Sequence, residues 1–256
     1  MPLLLDYNAF VHVRDHEGRT PLHHAAYRSR RDVVRFLLTQ NAEVNARDDN
    51  GLSPFICASS CSDTSRWQLL FDNDADEHGH DDMGSTALHY AVANNSLELL
   101  KRGAEVNARN DLGFTALAFG PTNGHPELVR FLLNQKAHIH VHDKNGKSPL
   151  HLSTARGQVE VTQLLIGNSA DVNAQDDERS ALLHRASEVA SKVNPNVVRL
   201  LLGRGMDVEV RNINGKTAFE VALDGGKQEI VNCSPRGGRM NEMGDIFHVR
   251  FVVPCE

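Results

Sequence analysis

Apolar positions alternate along the chain between two patterns. In the first, Leu22, Ala25 and Ala26 stand three and four positions apart, the spacing of one face of an α-helix. The alanines keep that face small, so a neighbouring helix can approach closely. Thr20 and Pro21 precede it, a hydroxyl suited to the N-cap and a proline suited to the first helical position. In the second pattern, dense runs such as VVRFLL (33–38), LVRFLL (128–133) and VVRLLL (197–202) predict a second amphipathic helix. Gly124 and Gly157 fall where the first helix must stop and reverse, a place for positive φ. Gly18, Gly51, Gly84, Gly113, Gly146 and Gly215 lie in Asp/Asn-rich stretches just ahead of the next helix, and predict tight projecting turns.

The two-helix unit recurs. GRTPLHHAA (18–26), GSTALHYA (84–91), GKSPLHLS (146–153) and RSALLHRA (179–186) are versions of one element. AEVNARD (42–48), AEVNARN (104–110), AHIHVHD (137–143) and ADVNAQD (170–176) are versions of another. The position of His23 is held in turn by Ile56, His89, Ala118, His151, His184 and Glu220, and four of the six steps are 33 residues. This period with T-P-L-H-x-A resembles the ankyrin repeat family over roughly residues 3–232. The resemblance implies an all-α solenoid of stacked helix–turn–helix units with projecting β-hairpin turns. No unit buries its apolar face alone, so stability comes from neighbours.

The register also predicts irregularities. Residues 1–15 form a partial repeat, 16–232 an array of about six repeats, and 233–256 an irregular tail. In the second repeat SPFICASS replaces the histidine with Ile56, and Trp67 enters the second helix. The third lacks four residues between Glu98 and Leu99, about one helical turn, which predicts a shortened outer helix. The sixth gains three around Ser191–Asn196. The seventh is incomplete, with Pro235 where its second helix should run on, and IFHVRFVV (246–253) is strand-prone.

Charge and composition narrow the function. A net charge of −6 argues against nucleic acid as the main partner, which needs a concentrated basic face. Four cysteines in a chain of 256 residues make no disulfide framework and read as reduced thiols of a cytoplasmic or nuclear protein. Leu3, Leu4 and Leu5 are too short a run for a signal peptide or anchor, so no membrane insertion is expected.

Candidate chemistry is sparse. His23, His89, His151 and His184 recur once per repeat and so spread along the array; the resemblance implies that they hydrogen-bond backbone between repeats. His138, His140 and His142 alternate along an extended segment, a pattern compatible with zinc, but they occupy ordinary loop positions. Cys57 and Cys61 lack a second pair nearby. Asp72, Asp74 and Asp76 mimic the start of a calcium loop, but Glu77 and Met83 stand where glycine and an acid are required. Gly146-Lys147-Ser148 and Gly215-Lys216-Thr217 lack the earlier glycine of a P-loop, having Val141 and Val210 instead. No catalytic motif emerges, so neither enzyme activity nor a cofactor is expected.

The resemblance implies protein binding through the concave face, built from hairpin tips and the exposed side of the first helices. The variable position within TPLHxA runs His24, Cys57, Tyr90, Phe119, Leu152, Arg185, Val221. Tyr90, Phe119 and Leu152, with Leu112 and Phe114 on the hairpin beside them, form the expected apolar centre, and His24 and Arg185 its polar flanks. The tips add Glu17, Arg19, Asp49, Met83, Lys144, Lys147, Arg179, Ile213 and Lys216. The expected role is that of an adaptor, scaffold or inhibitor, acting as a monomer on a protein partner. The alternatives are the recognition region of a larger regulator, a decayed remnant, or metal binding at the His-rich loop. Asn45, Asn107 and Asn173 of the VNA motifs match positions that asparaginyl hydroxylases modify in similar proteins, beside a plainer role in bracing the loops.

Overall fold

The computed structural model describes residues 10–28, 30–60, 65–96, 104–189 and 194–234. Seven short helices stack side by side as an inner layer among these residues: α1 (Pro21–Tyr27), α3 (Pro54–Ser59), α5 (Ala87–Ala93), α6 (Ala116–Asn123), α8 (Pro149–Ala155), α10 (Leu182–Val189) and α12 (Ala218–Asp224). An outer layer covers them with α2 (Arg31–Thr39), α4 (Ser65–Phe71), α7 (Pro126–Asn134), α9 (Val159–Gly167), α11 (Pro195–Leu202) and α13 (Gln228–Val231). The described residues hold no sheet. Isolated antiparallel bridges, such as His80 with Thr86 and Arg211 with Thr217, close the hairpins.

Each layer forms for local reasons. Proline opens α1, α3 and α8, and Ser53, Ser148 and Thr217 accept the backbone N–H of the third residue of α3, α8 and α12. The outer helices other than α13 end on a left-handed residue, as at Lys136 (φ 66°) and Ser169 (φ 70°). The next amide then reaches back to the helix, with Ala137 donating to the Leu132 carbonyl and Ala170 to that of Leu165, both at 3.0 Å. Gly124 caps α6 at φ 68°, as its position in the sequence predicts.

The core lies between the layers in two clusters that meet at α5. Ala87 and Ala91 join Leu22, Val34, Phe55, Ile56, Trp67 and Leu70. Leu88 and Val92 join Leu117, Leu128, Leu132, Leu150, Leu165 and onward to Ile230. Trp67 is 2% exposed within α4. The shortened outer helix predicted for the third repeat lies at residues 97–103, outside the described residues. Ser191–Val193 of the insertion expected around Ser191–Asn196, the start of the partial repeat and the strand-prone tail lie outside them too. The seventh repeat has an inner helix of ordinary length, and its outer helix α13 is a single turn.

Candidate protein-binding face

Each hairpin is organised by one Asp or Asn. Asp15, Asp48, Asp81, Asn110, Asp143, Asp176 and Asn212 each use Oδ1 to accept the backbone N–H groups two and four residues ahead, at 2.7–3.2 Å. The turn closes on the third residue, which has positive φ: glycine everywhere except Arg179, held at φ 55°. For Asp15 these bonds, led by the Arg19 amide, hold the carboxyl down at about 2.

The turns are then stitched to one another. The amides of Asp49, Asp82, Asp111, Lys144, Asp177 and Ile213 donate to the carbonyls of Glu17, Asn50, Met83, Leu112, Asn145 and Glu178, at 2.8–3.1 Å. Arginines add a second seam: Arg14, Arg47 and Arg109 donate to the carbonyls of Arg47, His80 and His142, each at 2.6 Å and each thirty-three residues on. The hairpin rim is therefore a hydrogen-bonded strip rather than a row of independent loops.

Below it run the repeated histidines. The amides of Thr20, Thr86, Ser148 and Ala181 donate to Nδ1 of His23, His89, His151 and His184. Nε2 therefore carries the proton and donates to the next repeat's carbonyl, at Leu52, Phe114, Ser180 and Lys216, over 2.9–3.3 Å. All four imidazoles are buried. Burial pushes His23, His89 and His151 down, the last to about 4. In the seventh repeat Glu220 performs the local half of this task, accepting the Thr217 amide at 2.7 Å.

The variable positions face the rim with two kinds of chemistry. In the first, third and sixth repeats the side chain reaches back nine residues to the free oxygen of the hairpin Asp. His24 Nε2 meets Asp15 at 2.7 Å, the Tyr90 hydroxyl donates to Asp81 at 2.7 Å, and Arg185 Nε donates to Asp176 at 2.5 Å. Burial and the Asp81 carboxylate raise the Tyr90 phenol. Phe119 and Leu152 in the fourth and fifth repeats have no polar end to tether. Phe119 instead packs edge-on against Phe114 (centroids 5.6 Å apart) and His89 (5.8 Å). In the fourth repeat the Asn110 amide turns to Ser85, at 3.1 Å. In the fifth, the second carboxylate oxygen of Asp143 meets no partner among the described residues.

Of the residues singled out in the sequence, Leu112 (41% exposed) is open, whereas Phe114, Phe119 and Leu152 are half-buried. Met83, one rung from Leu112 on the amide strip, is 51% exposed and extends the apolar centre. His24, Tyr90 and Arg185 lie on the same face with their polar ends held internally. The hairpin Asp and Asn residues escaped the sequence reading, although Asp15, Asp48 and Asp81 share the repeat's spacing and stand nine residues before the variable position.

The VNA asparagines brace successive loops. Asn45 donates to the Asp74 carbonyl at 3.1 Å and accepts the Asp76 amide at 2.8 Å; Asn107 does the same with Lys136 and His138. His138, His140 and His142 are exposed, and the described residues gather no group of three or more His, Cys, Asp or Glu fit to hold a metal ion. The GKS and GKT triplets sit at hairpin tips, with Gly146 and Gly215 at φ 74° and 72°. No helix among the described residues is long and apolar enough to cross a membrane.

Family models match this arrangement. The ankyrin repeat model matches residues 17–49, and the model of three ankyrin repeats matches 41–110, 97–176 and 115–212. No curated protein sequence matches the chain. Repeats of this kind are generally protein–protein interaction modules. With matches running from residue 17 to 212 over stacked helix pairs stitched at their hairpins, the chain belongs to the ankyrin repeat family.

Proposed function

We propose that the chain is a non-enzymatic binding scaffold that receives an apolar anchor of a protein partner at the middle of its concave face. The observation that carries this reading is the change of groove chemistry at the fourth and fifth repeats. There Phe119 and Leu152 replace tethered polar side chains, beside exposed Leu112 and Met83. An aromatic cluster with exposed aliphatic neighbours and a polar rim has the composition of a binding hot spot. The untethered oxygen of Asp143, by the equivalence of the repeats, lies towards Leu152 and supplies an acceptor for a donor on the partner.

The test is affinity capture with the wild-type chain and with Met83→Glu/Leu112→Glu. Both sites are exposed, so the variant keeps its helical circular dichroism. Partners held by the wild type and lost by the variant support the central groove. Partners held equally by both would move the interface elsewhere and refute the proposal.

A further inference from the structure

A different surface stands out at the end of the first repeat away from the hairpins. Arg28 closes α1, Arg30 is the N-cap of α2, and Arg31 and Arg35 lie one turn apart on α2. All four are exposed, and none makes an ion pair or side-chain hydrogen bond among the described residues. Asp32 is the sole acid in the first turn of α2. Several arginines elsewhere are pinned: Arg14 and Arg47 to carbonyls, Arg185 to Asp176 and Glu178, Arg211 to Glu220. Two apolar side chains border the cluster, Tyr27 at 60% and Val33 at 45% exposure. Arg30 and Arg31, at the N-terminus of α2, oppose its dipole, so this half of the cluster is unfavourable for the isolated fold.

We infer that this arginine cluster is a second interaction surface, and that its occupant is a short acidic polypeptide segment with an apolar residue beside its carboxylates. Guanidinium forks match carboxylates bidentately, and Tyr27 and Val33 offer the apolar contact. The compactness of the patch favours a short segment over an extended polyanion. At the equivalent places of the fourth repeat stand Asn123, His125, Pro126 and Arg130, the last beside Glu127 at 3.9 Å. In the fifth stand Arg156, Gln158, Val159 and Gln163. A duplex or a bilayer surface would need basic character along the array, and the chain carries −6 overall.

The experiment is fluorescence anisotropy with a labelled peptide of consecutive glutamates ending in leucine, its glutamine counterpart, a DNA duplex and phosphatidylserine vesicles. The glutamate peptide should bind about tenfold more tightly than the glutamine one and weaken as salt rises. Arg31→Gln/Arg35→Gln should abolish that preference with the helical signal unchanged, and Met83→Glu/Leu112→Glu should preserve it, separating this surface from the central groove. Equal binding of the two peptides, or a preference surviving in the arginine variant, overturns the proposal. So does binding of the duplex or the vesicles in place of the peptide.

Discussion

Acid should weaken the array through its histidines before it reaches most carboxylates, and His151 allows the effect to be sized. Its imidazole is 1% exposed, accepts the Ser148 amide and donates to the Ser180 carbonyl. Burial lowers its pKa from 6.5 to about 4 in the folded chain. The unfolded chain therefore binds the proton first. The resulting stability is fully present above 6.5, declines as pH falls towards 4, and is gone below the folded value. That lowering corresponds to about 3 kcal/mol. His151→Gln provides the control: its amide can accept from Ser148 and donate to Ser180, but it does not titrate. Urea denaturation followed by circular dichroism from neutral pH to about pH 4 should give the wild type an excess loss near 3 kcal/mol over the variant. Parallel curves would mean that His151 protonates normally in the folded protein, and the buried-relay account would fail. His23 and His89, also lowered by burial, should contribute in the same direction.

Arg179→Gly should raise stability by about 0.5–1 kcal/mol, since a left-handed L-residue costs roughly 1–2 kcal/mol and glycine returns part of that as chain entropy; a lower melting temperature would contradict the strain. Asn107→Ala removes bonds to Lys136 and His138 and should cost about 1–2 kcal/mol in denaturant titration. An unchanged midpoint would show that the loops hold without it. Leu165→Ala, in a fully buried site, should cost about 2–5 kcal/mol, and Leu223→Ala at 47% exposure under about 0.5 kcal/mol; similar losses would negate the core assignment. Leu152→Tyr should tether Asp143 as Tyr90 tethers Asp81, over the same nine residues. A double-mutant cycle with Asp143→Asn should then give a coupling of about 0.5–1.5 kcal/mol, and zero coupling would break the equivalence of the repeats.

Much of this fold was legible because its determinants are local and repeated. Leu22, Ala25 and Ala26 mark an inner helix, Gly124 its reversal, and Gly146 a turn, whatever lies beside them. The histidine relay was legible only through resemblance, because its acceptors lie 25–32 residues away. The groove was the least legible part. Composition made Phe114 and Leu112 equally apolar and exposed, yet Phe114 turns its ring against Phe119 while Leu112 stays open. That outcome depends on side-chain geometry between hairpin and helix, which no spacing rule contains. His24 and Arg185 read as free polar flanks because the recurring Asp nine residues earlier shows in the spacing but not the side-chain geometry that pairs them.

The tether explains how a single scaffold position carries both rigidity and recognition. A hairpin Asp has two oxygens, and its turn needs one. Where the inner helix supplies a donor, the second oxygen locks helix to hairpin, and that stretch of groove is polar and internally satisfied. Where the helix supplies Phe119 or Leu152, the lock is absent. The fourth repeat compensates with Asn110, whose amide finds Ser85, and the fifth leaves Asp143 with an oxygen to offer. The hairpins there need no local lock, because the amides of Asp111, Lys144 and Asp177 suspend them from their neighbours. The rim can therefore hold its shape across the two repeats that present apolar surface, and under the proposed function a partner would meet a groove already formed and lose little to ordering it.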